Sequence, residues 1–91
     1  MVRRVLIQNI VLTETAQEDL IFWQETSPGT LQKINALIES ILKDPGSGIG
    51  KPEKLKYELS GMWSRRINHK DRMVYEVESN TLIILQLRDH Y

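Results

Sequence analysis

Glu53, Arg72 and His90 are the residues of this chain whose types most readily do chemistry, and Lys51, Lys56, Arg65, Arg66, Arg88 and the terminal Tyr91 stand around them in sequence. A carboxylate, an imidazole and several fixed cations can break an RNA backbone without a metal. One group removes the proton of a 2′-hydroxyl, a second protonates the departing 5′-oxygen, and cations stabilise the charge that builds on the phosphorane. Each residue also has a structural reading. Glu53 can pair with a neighbouring lysine, Arg72 can be a strand-edge charge, and His90 and Tyr91 can be an ordinary chain end. Trp23 and Trp63 read as packing residues rather than base-stacking platforms.

Other chemistries lack their residues. The chain has no cysteine, so it has neither a thiolate zinc site nor a disulfide framework. With only two histidines, His69 and His90, a metal centre would need carboxylates brought in from elsewhere. Gly46, Gly48 and Gly50 suggest a phosphate loop, yet no Ser or Thr follows Lys51 and no helix start follows the glycines. The expected chemistry is therefore acid–base and free of cofactor and metal.

Ninety-one residues make one small domain, residues 1–91. Hydrophobic residues at 41% and charged residues at 26% match a soluble globular chain rather than a disordered tail. No apolar run approaches the roughly 20 residues of a membrane span, and Arg3 and Arg4 precede a stretch too short for a secretory signal, so the expected location is the cytoplasm. Twelve basic residues balance twelve acidic ones. The balance conceals a division: residues 1–50 hold four basic and six acidic residues, whereas Lys51–Arg72 hold seven basic against three acidic. Such a block is either a polyanion footprint or a solvated face.

The elements that must position these residues follow from periodicity. Ile10, Val11 and Leu12 read as a strand. Thr13 or Thr15 can cap a helix, with Glu18 completing a capping box after Thr15 and Asp19 suiting the helix dipole; Ala16, Leu20 and Trp23 share a face, and the helix ends near Thr26. Ser27-Pro28 starts a second helix, whose stripe of Leu31, Ile34, Ile38 and Ile41 stops at Asp44-Pro45-Gly46. The Gly- and Pro-rich segment 44–52 reads as a loop. Period-2 segments follow at 57–59, 62–68, 72–78 and 81–88, with turns at Ser60-Gly61, His69-Lys70 and Ser79-Asn80.

The order β-α-α-β-β-β-β implies an α+β fold, a helical hairpin on one face of a mostly antiparallel twisted sheet. Alternation on the last strand separates Ile83, Leu85 and Leu87 from Leu82, Ile84, Gln86, Arg88 and His90. Setting the first group against the helices places Arg88 and His90 on the open face. Met73, Tyr75 and Val77 suit the core, which sends Arg72 to the open face as well.

Gly50-Lys51-Pro52-Glu53-Lys54-Leu55-Lys56, Leu59-Ser60-Gly61-Met62-Trp63-Ser64-Arg65-Arg66-Ile67, Arg72-Met73-Val74-Tyr75 and the terminal His90-Tyr91 resemble, in order and spacing, the YoeB family of the RelE/ParE toxin superfamily. Phe22–Thr26 and Lys33–Ile38 look like that family's helical hairpin, so the likeness runs from about Asn9 to Tyr91. The resemblance implies the RelE/YoeB-like fold and a ribosome-dependent mRNA endonuclease. By motif it matches Glu53 to the general base, Arg72 to the phosphate-stabilising arginine and His90 to the general acid, with Tyr91 orienting substrate. Lys51, Lys56, Arg65 and Arg66 match RNA-contacting or supporting positions.

The implied partners are the A site of the 70S ribosome with its mRNA, a cognate antitoxin whose disordered segment wraps the toxin, and a second copy in a homodimer, with no membrane. Asp89 departs from the family pattern beside the histidine, where an acid can raise its pKa or weaken the hold on phosphate. Met1–Gln8 precede the usual family start and read as an N-terminal extension: a strand segment, a tail carrying Arg3 and Arg4 toward RNA, or sequence upstream of the true initiation site. Two other activities remain open on sequence: a ParE-like gyrase inhibitor without nuclease activity, and an inactive antitoxin-binding homologue.

Overall fold

The computed structural model describes residues 6–89. The chain runs through strand β1 (Asn9–Leu12), helices α1 (Glu14–Thr26) and α2 (Pro28–Lys43), and strands β2 (Glu53–Lys54), β3 (Trp63–Arg66), β4 (Arg72–Glu78) and β5 (Thr81–Gln86). The sheet order is β1-β5-β4-β3-β2, with β1 parallel to β5 and every other pair antiparallel. No helix among the described residues is long and apolar enough to cross a membrane.

Local chemistry explains the two helices. Thr13 is the N-cap of α1, its side chain accepting the Ala16 N–H at 3.1 Å, while Thr15 lies inside the helix. Ser27 serves both helices at once. Its backbone N–H closes α1 on the Trp23 carbonyl at 2.9 Å, and its hydroxyl accepts the Thr30 N–H as α2 begins at Pro28. So short a junction folds the helices back on each other, and Ala16, Trp23, Ile34, Leu37 and Ile41 pack with Met73, Tyr75, Leu82, Ile84 and Leu87 into one core.

The sheet departs from the alternation expected of it at two points. Segment 57–59 is a 3₁₀ turn rather than a strand, with Tyr57 at φ 59°, and the pairing to β3 comes instead from Glu53 and Lys54, just past the 44–52 loop in a stretch assigned to no strand. The last strand also faces the other way: Leu82 and Ile84 are fully buried against the helices. Tyr75 pairs with Ile84 while Val74 pairs with Gln86, leaving Leu85 as an extra residue. That bulge reverses the phase, so Gln86 joins the open face and Leu87 returns to the core. Arg88 does not share the open face with Arg72; its guanidinium lies 3.6 Å from the centre of the Phe22 ring on α1.

Residues 1–5 and the terminal pair His90-Tyr91 lie outside the described residues. Of the expected N-terminal extension, Gln8 is held to the β4–β5 turn by its N–H bond to the Asn80 carbonyl at 2.8 Å.

Candidate active site

Strand register places Glu53 and Arg72 on one face. Glu53 pairs with Ser64, and Arg66 with Arg72, whereas the alternate positions Arg65 and Met73 belong to the helix side. Glu53, Ser64, Val74 and Gln86 therefore form one row across four strands, with Arg66 and Arg72 in the next. Two strand spacings and two residues of rise separate the Glu53 and Arg72 backbones by about 12 Å. Both side chains are long enough to approach one phosphodiester from opposite sides.

Arg72 is fixed in place. One terminal nitrogen of its guanidinium donates to the carbonyls of Asn68 at 2.8 Å, His69 at 3.3 Å and Asp71 at 3.1 Å, all in the β3–β4 turn. Its backbone N–H donates to the Asp89 carbonyl at 3.0 Å. Asp89 is itself tied down: its N–H donates to the buried Asp71 carboxylate at 2.7 Å, and its own carboxylate lies 3.7 Å from the Lys70 ammonium. At φ 66° Asp89 adopts the left-handed conformation that Asp tolerates better than most residues. The acid beside the terminal histidine thus has a structural role as a turn residue.

A cavity of about 390 Å³ opens beside Arg72, lined by Lys33 of α2, Gly50, Lys51, Arg66, Ile67, Asn68 and His69. Every charged residue in that lining is basic. Lys51 and Arg66 thus join Arg72 there. Lys56 is exposed but does not line the cavity, and neither does Glu53, which sits farther along the open face. Sequence reasoning missed Lys33, because its place on the solvent side of a helix carries no motif.

Arg65 departs from the RNA-contacting role expected of it. It is fully buried on the helix side of β3. Its Nε donates to the Tyr75 hydroxyl at 3.0 Å, Nη1 to the Ser40 hydroxyl at 2.7 Å and the Ile49 carbonyl at 3.0 Å, and Nη2 to the carbonyls of Asp44, Pro45 and Ser47 at 2.8–3.3 Å. With every donor engaged in the protein, none remains for a phosphate. Arg65 instead fastens the 44–50 loop to the core.

The rest of that loop is built for this approach. A Cβ on Gly48 would run into the Ser40 hydroxyl, and one on Gly50 would come within 2.6 Å of Leu37; both glycines have positive φ. Tyr75 donates to the Pro45 carbonyl at 2.6 Å, and burial pushes its phenol pKa above the ordinary value of 10.0 against the pull of Arg65. The Gly46 N–H and the Ser47 hydroxyl bind the Asp44 carboxylate and hold its pKa below the usual range. The loop leaves at Gly50, whose carbonyl accepts the Arg66 N–H at 2.7 Å, and delivers Lys51 at φ 51° to the cavity.

Comparison with known proteins places this arrangement in a family. The family model for the YoeB-like toxin of bacterial type II toxin–antitoxin systems matches residues 12–91. Toxin YoeB of Synechocystis is 46% identical over 82 residues, 90% of this chain and 95% of that one. The YoeB–YefM complex from Staphylococcus aureus aligns with a TM-score of 0.85 at 44% identity, covering 91% of this chain and 97% of its counterpart. The YoeB dimer from the same organism aligns with a TM-score of 0.86 at 43% identity over 97% of this chain and all of that one.

Proposed function

The chain belongs to the YoeB-like toxins of bacterial type II toxin–antitoxin systems, and from that premise we propose that it is a ribosome-dependent mRNA endonuclease acting through the open face of its sheet. The observation that carries the reading is Arg72, pinned through one guanidinium nitrogen at the edge of a cavity whose described charged residues are all basic, and on the same face as Glu53. A cation held this way needs no reorganisation when charge develops on a phosphorane, which is where such a group has most effect.

In this mechanism Glu53 takes the proton of the 2′-hydroxyl, whose oxygen attacks the adjacent phosphorus. Arg72 stabilises the pentacoordinate phosphorane. His90 gives its proton to the departing 5′-oxygen, leaving a 2′,3′-cyclic phosphate or its hydrolysis product, and Tyr91 orients the substrate. The bond from Arg72 to Asp89 supports this, because it joins the last described residue before His90 to the phosphate-binding strand. Lys51 and Arg66 contribute to RNA binding from the cavity, and Lys56 from the exposed turn beside β2.

The antitoxin partner is proposed to be a protein with an acidic segment that folds across the basic face. The solved complex of the Staphylococcus aureus YoeB with YefM supports a partner of that role, and the dimer of the same toxin supports self-association. An overall charge of zero with local positive charge suits an enzyme that depends on the ribosome to present its substrate.

Induction without antitoxin tests the reading. Glu53→Ala, Arg72→Ala and His90→Ala should each relieve growth arrest, and RNA ends from wild-type cells should map within translated mRNA. Equal toxicity in all three variants would overturn the mechanism, and arrest without new RNA ends would point to a gyrase-type inhibitor.

A further inference from the structure

Lys33 lies on α2, away from the sheet face that holds Glu53, yet it lines the same cavity as Arg72. Among the described residues, Lys33, Lys51, Arg66 and His69 have no side-chain hydrogen bond or ion pair and no acidic residue lines the cavity. Concentrating like charges without neutralising them is unfavourable for the folded chain. The rim is strained as well: Lys51 holds a left-handed backbone at φ 51°, which a residue with a Cβ disfavours. The conformation persists because the chain is fixed on both sides of it: Arg65 and the Gly50–Arg66 bond hold the loop before Lys51, and the pairing of Glu53 with Ser64 holds the strand after it. Local strain maintained at a cluster of unpaired cations points to an anionic ligand.

We propose that this cavity is a second phosphate subsite for RNA, in which Lys33 and Lys51 hold a phosphodiester adjacent to the one at Arg72. The inference rests on the nuclease reading above and extends it from one phosphate to two. RNA is the better fit than an acidic peptide. A segment that folds on binding needs apolar surface to offset the cost of ordering, and the hydrophobic lining here is limited to Ile67, which is already buried. A ribose–phosphate chain needs only the charges. One passing Arg72 carries its next phosphate one nucleotide away, and Lys33 and Lys51 line the same cavity as Arg72.

The test uses the full chain and short RNAs with a 2′-deoxy nucleotide at the scissile position, so that binding is read without turnover. In turn, each phosphodiester flanking the scissile one is replaced by a neutral methylphosphonate. Lys33→Ala should weaken binding of the all-phosphate RNA about 5-fold or more at low salt, and flatten the dependence of log affinity on log salt by about 0.7, the value for one phosphate on a single strand. One of the two methylphosphonate RNAs should bind the wild type with the same loss, and Lys33→Ala should impose no further penalty on that RNA. Lys33→Arg should restore the slope.

An unchanged salt slope in Lys33→Ala, or penalties that add at both flanking positions, would overturn the subsite. Binding of an oligoglutamate peptide that depends on Lys33 when RNA binding does not would overturn it in favour of a peptide ligand. Cleavage of ribosome-bound mRNA is scored in parallel. A Lys33 slope effect without wild-type cleavage strikes the reading of activity, whereas wild-type cleavage without a Lys33 effect strikes the subsite alone.

Discussion

Arg65 and Arg66 are neighbours on one strand and carry the same guanidinium to opposite fates. Arg65 enters the helix side, where it is fully buried and donates to two hydroxyls and four loop carbonyls. Arg66 faces the open side, exposed, at the wall of the cavity it shares with Lys33, Lys51 and Arg72. The pleat alone separates them. The basic block of residues 51–72 therefore divides: Arg65 builds the loop that carries Lys51, whereas Arg66 and Arg72 line the cavity on the other face.

The sharpest way to break the comparison is to remove each arginine in turn. Arg65→Met should lower unfolding stability by about 3 kcal/mol or more, since it strips the loop of its charged donors. Arg66→Met should change stability by no more than about 0.5 kcal/mol. Denaturant midpoints read both, and equal losses would dissolve the distinction. Gly50→Ala comes next. A Cβ there collides with Leu37 and sits on a backbone at φ 82°, costing about 2–3 kcal/mol from strain and overpacking together. Its cleavage rate should fall further than its stability alone explains, because the displaced residue is Lys51.

A smaller effect is expected from Tyr75→Phe, which leaves the Arg65 Nε without its acceptor and should cost about 1–2 kcal/mol. The raised phenol pKa gives this prediction a pH signature. The wild type keeps the full contribution below the ordinary phenol value and loses it as pH rises through the raised folded value, so Tyr75→Phe should flatten the alkaline limb of a stability–pH profile. The smallest effect belongs to Asp44. Its lowered pKa means that its contribution is full above the ordinary carboxylate value and lost as pH falls through the depressed one. The gap in unfolding midpoint between wild type and Asp44→Ala should therefore close in acid.

Periodicity and capping signals in the sequence locate much of the fold. Ser27-Pro28 marked the helix junction because an N-cap followed by a pre-set φ has few other uses, and the turn residues fixed β4 at its observed bounds. The faces of β5 were not legible. A run of Thr81-Leu82-Ile83-Ile84-Leu85 is apolar at both parities, and the bulge at Leu85 that decides the phase leaves no mark in residue types. Strand β2 was hidden for a related reason: two residues that pair over one rung are too short to show alternation.

The candidate site divides along the same line. Arg72 was placed on the open face by the pattern of Met73, Tyr75 and Val77 around it. Arg65 was misassigned, because a sequence of adjacent cations does not say which one the pleat turns inward. Lys33 was missed, because its neighbourhood exists only once α2 is laid beside the β3–β4 turn.

The catalytic role of the open face is tested most directly by the rate of single-turnover mRNA cleavage on programmed ribosomes, at saturating toxin, for Arg72→Ala. The predicted result is a fall of about 100- to 1,000-fold, the loss of one preorganised donor to a developing oxyanion, with an unfolding midpoint close to that of wild type. Undiminished cleavage by a folded Arg72→Ala protein would contradict the assignment of the open face as the catalytic one.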